Sequence, residues 1–283
     1  MSRKLLVCLF CLFTAFTSVS LRADATIGEG VFNKGILQNP ARTPAFVERD
    51  VYRHPGETLA FFGLEPTMTV VEIWPGGGWY TEILAPYLQG GKLYAGHFAK
   101  DSGVKYFNNS RRSFTEKVQA SPDVYQSLVM AEFSPKMNKL TVPDGSADLV
   151  LTFRNVHNWL RSINEAEAFA LFYKALKPGG VLGVVEHRAK PNTSWETMKQ
   201  SGYMTEAYVI ALAEKAGFVL DASSEINANP KDSADHPKGV WTLPPTLRMK
   251  DKDRAKYVAI GESDRMTLRF KKPSLTTTQS AGQ

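Results

Sequence analysis

Val70-Val71-Glu72-Ile73-Trp74-Pro75-Gly76-Gly77-Gly78-Trp79-Tyr80-Thr81 is the stretch on which the reading of this chain turns. Thr69 to Ile73 is rich in β-branched residues, which predicts a buried strand. Pro75 cannot donate to a sheet ladder and ends the strand. The three glycines behind it tolerate conformations closed to other residues and let a ligand approach the backbone. Tyr80 to Leu88 then reads as a helix, stopped by Gly90-Gly91. In open α/β sheets ligands bind beyond the carboxyl ends of the strands, so this strand–glycine–helix passage predicts the wall of the principal pocket.

Outward from it the same rhythm repeats. Lys92 to Gly96 predicts a second strand, Ser102 to Gln119 a helix, and Tyr125 to Phe133 a third strand. Ser146 to Phe153 predicts a fourth strand and Asn164 to Leu176 a helix, ended by Lys177-Pro178-Gly179-Gly180. Val181 to Glu186 reads as a fifth strand, and Thr205 to Lys215 as a helix closed by Gly217. Phe218 to Ile226 and Met266 to Lys271 supply strands six and seven. Strands alternating with helices imply an α/β fold: a mostly parallel sheet of about seven strands, with helices on both faces.

Two ligand classes compete for the glycine loop. A dinucleotide fingerprint needs G-x-G-x-x-G. Gly76 and Gly78 supply two of its glycines, but Thr81 holds the third position, which weighs against a nicotinamide-dependent oxidoreductase. The alternative is an acid followed by spaced glycines. Val70 to Thr81 resembles motif I of the class I S-adenosylmethionine-dependent methyltransferases, with Glu72 as the acid and Gly76 and Gly78 as later glycines. Ser146 to Leu151 resembles their fourth strand, and Ala175 to Leu182 resembles their turn into the fifth. The resemblance covers about residues 60–226, and the whole chain also resembles a group of exported bacterial proteins labelled predicted methyltransferases.

The resemblance implies a Rossmann-like methyltransferase domain and S-adenosyl-L-methionine as cofactor. It places Glu72, Gly76, Gly77 and Gly78 against the amino acid part of that cofactor. Trp74 departs from the family's pattern by standing at the first glycine position, where an indole crowds the loop or walls the pocket. His97 stands where the family carries the acid that accepts from the ribose, and an imidazole cannot offer a carboxylate's two oxygens. Asp101 is a substitute if its loop bends back. Glu132 is the candidate adenine-side acid, and Asn155 a further cofactor contact.

Phe153-Arg154-Asn155-Val156-His157-Asn158-Trp159 follows the fourth strand, a turn rich in polar and aromatic groups. Glu186 and His187 end the fifth strand, so His97, His157 and His187 fall at one edge of the sheet. Imidazole suits proton transfer near neutral pH, which makes His157 the candidate base, with Glu186 beside it. Arg154 is expected to orient an anionic substrate, with Trp159 and His187 as substrate contacts. Histidines and Glu186 are metal-ligand types, but their spacing matches no metal motif, and no metal is expected.

The ends of the chain bear on where it works. Arg3 and Lys4 precede an apolar run to Leu21, and Ala23-Asp24-Ala25 reads as a cleavage site. This predicts a signal peptide over residues 1–25 and a periplasmic or secreted protein, with no stable membrane insertion after cleavage. Both cysteines, Cys8 and Cys11, lie in that segment, so the mature chain has no thiol for a disulfide, a metal or a nucleophile. Residues 1–25 hold Arg3, Lys4, Arg22 and one acid, Asp24, so the remainder of the +6 chain is near +4. Its basic residues are dispersed, which points away from nucleic acid and toward a small-molecule substrate. Residues 26–58 read as a wrapping arm with at most short helices, 59–272 as the main domain with an insertion at 227–262, and 273–283 as a disordered tail. The methyl donor is made in the cytosol, which leaves a second expectation open: a ligand-binding or repurposed protein on the same scaffold.

Overall fold

The computed structural model describes residues 34–100 and 102–274, so the predicted signal peptide, Asp101 and most of the predicted tail lie outside the described residues. The arm forms four short helices, α1 (Lys34–Leu37), α2 (Pro44–Val47), α3 (Asp50–Arg53) and α4 (Pro55–Phe61). Strand β1 (Thr69–Ile73) leads through the glycine loop into α5 (Thr81–Tyr87), then β2 (Lys92–Phe98), α6 (Lys105–Ala120) and β3 (Leu128–Ser134). A two-residue β4 (Lys139–Leu140) turns back along the edge. Next come β5 (Ala147–Phe153), α7 (Val156–Ser162), α8 (Glu165–Ala175) and β6 (Leu176–His187). The chain closes with α9 (Trp195–Ser201), α10 (Glu206–Lys215), β7 (Val219–Ser224), β8 (Pro237–Val240), α11 (Arg254–Ile260) and β9 (Arg265–Lys271).

The sheet has eight strands in the order β4-β3-β2-β1-β5-β6-β9-β7. Strands β1, β2, β3, β5 and β6 are parallel, while β9 runs antiparallel to both β6 and β7. The strand beyond the predicted seven is β4, too short to leave an alternating pattern in the sequence. Strand order reverses between β1 and β5, the switch point at which α/β sheets open a ligand crevice.

Alternation along the strands feeds two cores. Val71 and Ile73 of β1 and Leu182 and Val184 of β6 face one side, under Trp159, Phe169, Phe172 and Val209 of α7, α8 and α10. Val70, Leu149, Leu151 and Val185 face the other, under Leu59 of α4 and Ile83 and Leu84 of α5. Helices therefore cover both faces, as the sequence predicts. Two local expectations change. The stretch after β5 is read as a polar turn but forms helix α7 from Val156. Strand β6 begins at Leu176, before its predicted start, because Gly179 donates to Lys272 O at 2.9 Å and Lys272 donates to Gly180 O at 2.9 Å, which holds the Pro-Gly-Gly stretch in the sheet.

Candidate active site

The glycine loop is built at the tip of β1. Trp74 N–H still donates to Gly96 O at 2.9 Å, after which the backbone turns through positive φ at Trp74 (46°), Gly76 (60°) and Gly78 (87°). That region favours glycine, so Trp74 takes a glycine's conformation as well as its position. A Cβ on Gly76 would meet nothing within 4 Å, so its face is open. A Cβ on Gly78 would lie 3.2 Å from the Phe114 ring, so Gly78 is packed from behind. Gly77 carries the outer turn, where Lys117 Nζ donates to its carbonyl at 2.9 Å and Phe46 of the arm lies over it. Beneath the loop, buried Glu72 accepts from Thr81 Oγ1 at 2.6 Å, and burial pushes its carboxyl up to about 7.

His97 does not offer itself to a ribose. It is fully buried, its Nδ1 accepts from Phe98 N–H at 2.8 Å, and its Nε2 faces Gly76 O at 3.3 Å. With Nδ1 accepting, the ring proton sits on Nε2 and points at Gly76, so both nitrogens are spent tying β2 to the loop. Burial pushes its pKa down to about 4, which keeps the ring neutral. Glu132, the expected adenine-side acid, is turned to Lys139 Nζ at 2.6 Å on the sheet edge, and that hydrogen bond holds its carboxyl below the usual range.

Beyond the tips of β2 and β3 lies a cavity of about 280 Å³, walled by Trp74, Phe98, Phe107 and Phe133 with Ser134 and Met137. Trp74 Nε1 donates to Phe133 O at 3.2 Å, and its ring packs 4.7 Å from Phe98 and 5.6 Å from Trp159. Trp159 is fully buried and sits in the core behind Trp74, so it braces that indole instead of meeting a substrate.

On the other side of the loop, the tips of β5 and β6 bring the second constellation together. Asn155 Nδ2 donates to Ile73 O at 3.0 Å and to Thr152 Oγ1 at 3.3 Å, joining the β5 tip to the β1 tip. Fully buried Glu186 accepts from His157 N–H at 3.2 Å and faces His157 Nδ1 at 3.0 Å. A carboxylate only accepts, so neutral His157 carries its proton on Nδ1 and keeps its lone pair on Nε2. His187 lies 5.2 Å from the His157 ring, with Nδ1 2.5 Å from Ser263 Oγ; burial pushes its pKa well below the usual histidine value. Donor atoms of His157, Glu186 and His187 lie within 4.8 Å of one another, a grouping their spacing in the sequence conceals. Burial, His157, and then Arg265, Arg154 and Arg53 hold His187 neutral, and the same three guanidiniums oppose a cation there.

Sequence reasoning missed most of that positive field. Arg53 falls in the arm, which the sequence marks only as a wrapping segment, and Glu262 and Arg265, before and at the start of the last strand, lie 209 and more residues away. Nothing local marks such a pairing; only the sheet order, which sets β9 against β6, brings Arg265 opposite His187.

No protein-family model matches the sequence, and no curated protein matches it. Among solved structures the chain is similar to a SAM-dependent methyltransferase from Aquifex aeolicus, with a TM-score of 0.55 and 16% identity over 85% of this chain and 99% of that one. It is also similar to the [4+2]-cyclase SpnF, with a TM-score of 0.54 and 13% identity over 84% of this chain and 86% of that one. The chain thus has the Rossmann-like fold of the class I methyltransferases. That fold carries more than one chemistry, so activity has to be argued from the site.

Proposed function

We propose that the protein transfers a methyl group from S-adenosyl-L-methionine to a small molecule, outside the cytoplasm after export. The observation that carries this reading is the order of features along the strand tips. An aromatic cavity lies at β2 and β3, an open glycine at β1, and an imidazole–carboxylate pair at β5 and β6. The series suits an elongated cofactor with a flat apolar ring at one end and a reacting group at the other. Trp74, Phe98 and Phe107 would enclose the adenine, Gly76 would face the amino acid part, and Asn155 would hold the adjoining loop in place. Neither His97 nor Glu132 would serve the ribose hydroxyls, since both are engaged elsewhere.

When bound, the cofactor supplies a methyl group already activated on a sulfonium. The chain's own work is alignment and proton removal. His157 Nε2 would take the proton from the acceptor's nucleophile. Glu186 fixes the ring's orientation and stabilises the imidazolium that results. His157→Gln should lower turnover by about 100-fold or more while leaving S-adenosylhomocysteine affinity unchanged, since the base touches the acceptor. Unchanged turnover would remove His157 from the reaction.

A second reading has a specific observation behind it. Trp74 projects into the ring-binding side and His97 closes off the ribose position, which also suits a scaffold reshaped for another ligand. Under that reading the protein would not bind S-adenosylhomocysteine.

A further inference from the structure

Four arginines converge where the arm meets the tips of β5, β6 and β9, and one carboxylate serves three of them. Glu262 accepts from Arg49 Nε at 2.6 Å, from Arg53 Nε at 3.1 Å and from Arg265 Nη2. Arg265 also donates to Tyr52 O at 2.9 Å, and its buried Nε has no partner. Arg53 is buried with its guanidinium 4.7 Å over the Trp79 ring, and its terminal nitrogens find no hydrogen bond among the described residues. Arg154 is the fourth. Its side chain has neither hydrogen bond nor ion pair among the described residues. Its backbone is held at φ 60° by an N–H donated to Val185 O at 2.7 Å.

An arginine left without a counter-charge in a partly desolvated place is costly. The acids that act on Arg154 are Glu262, already bonded to the three other arginines, and Glu72, whose carboxyl burial pushes up to about 7, while Tyr80 stays protonated because burial pushes it up to about 12. The positive excess is large enough that burial and mutual repulsion lower Arg53 well and bring Arg154 down to about 10. Guanidinium is the group best shaped for two-pronged recognition of planar and tetrahedral oxyanions. Unspent donors on Arg154 and Arg53 beside neutral His187 define a seat for such a group, next to the candidate base.

We propose that Arg154 and Arg53, backed by Arg265, seat the carboxylate or phosphate group of the acceptor and present its nucleophile to His157. As a statement about the acceptor this rests on the methyl-transfer reading; as a statement about an anion site it stands by itself. The mature protein would be titrated calorimetrically with inorganic phosphate and separately with malonate. Binding of either is expected, weakened about tenfold or more by Arg154→Gln. It should be unaffected by Arg112→Gln, a substitution at an exposed position of α6. Preference for phosphate would assign a phosphorylated acceptor, and preference for malonate a carboxylate. The bound anion should raise Tm progressively, with the logarithm of its concentration once that exceeds Kd. Arg154→Met should melt above wild type in anion-free buffer and lose that response. Absence of binding by both anions, unchanged affinity in Arg154→Gln, or an Arg154→Met protein less stable than wild type without anion would each overturn the proposal. Titration with S-adenosylhomocysteine in the same buffer separates the two readings: anion binding without it would keep the seat and refute the donor.

Discussion

Two buried titratable side chains under the glycine loop set opposite pH responses. Glu72 releases its proton near 4.5 in the unfolded chain and near 7 in the folded one. Between those values the folded state holds a proton that the unfolded state lacks, so this group's contribution to stability falls as pH rises through the window. Glu72→Gln removes the effect. Its stability relative to wild type should improve by about 1–3 kcal/mol between pH 4.5 and pH 8, read by urea denaturation. A pH-independent difference would contradict the burial of Glu72. His97 works the other way. Its unfolded pKa is 6.5 and its folded value about 4, so the unfolded chain gains a proton first as pH falls and stability is lost across that range. His97→Gln should flatten the acid side of the profile and cost about 1 kcal/mol or more at neutral pH through the lost tie to Gly76. An unchanged acid limb would show that His97 is not held neutral. At this scale the sequence tells which residues matter and not what they do. His97 falls at the ribose position by count, yet the same burial that brings it there engages both its nitrogens.

At the scale of the element, the glycine loop contains two glycines with different duties. Gly76 faces open space, so Gly76→Ala should cost about 1 kcal/mol of backbone strain and weaken S-adenosylhomocysteine binding. Gly78 is wedged against Phe114, so Gly78→Val should damage the fold itself, with Tm falling before any ligand is added. Equal effects of the two substitutions on Tm would contradict this division. Trp74→Gly frees the backbone from a left-handed position but removes an indole packed against Phe98, Phe133 and Trp159. If the indole walls the ring pocket, the variant should bind S-adenosylhomocysteine more weakly than wild type; tighter binding would mean that the indole blocks it. The arm adds a contact that sequence patterning does not reveal. Thr43 donates to Glu82 through both N–H (2.8 Å) and Oγ1 (2.6 Å), and Trp79 Nε1 donates to Phe46 O at 2.8 Å. These bonds join residues 33 to 39 positions apart in sequence, and no local periodicity encodes them.

For the whole molecule, the fold was legible because buried parallel strands and their glycine turns leave strong local signals. Thr69–Ile73 and Ala147–Phe153 fall where their apolar runs predict. Lys139–Leu140 and α7 escaped, the first for shortness and the second because it has only seven residues and sets polar His157 on its buried face beside Val156, Trp159 and Leu160. His157, Glu186 and His187 meet through the β5–β6 pairing, but the approach of Arg265 and Glu262 to them depends on β9 inserting between β6 and β7, a fact of topology that no stretch of sequence carries. Among the described residues no helix is long and apolar enough to cross a membrane. The central claim is that the strand tips form an S-adenosylmethionine pocket. Calorimetric titration of the mature chain with S-adenosylhomocysteine tests it most directly. The account predicts one-to-one binding in the micromolar range, weakened in Gly76→Ala; a folded wild-type protein that gives no heat of binding at millimolar ligand would contradict it.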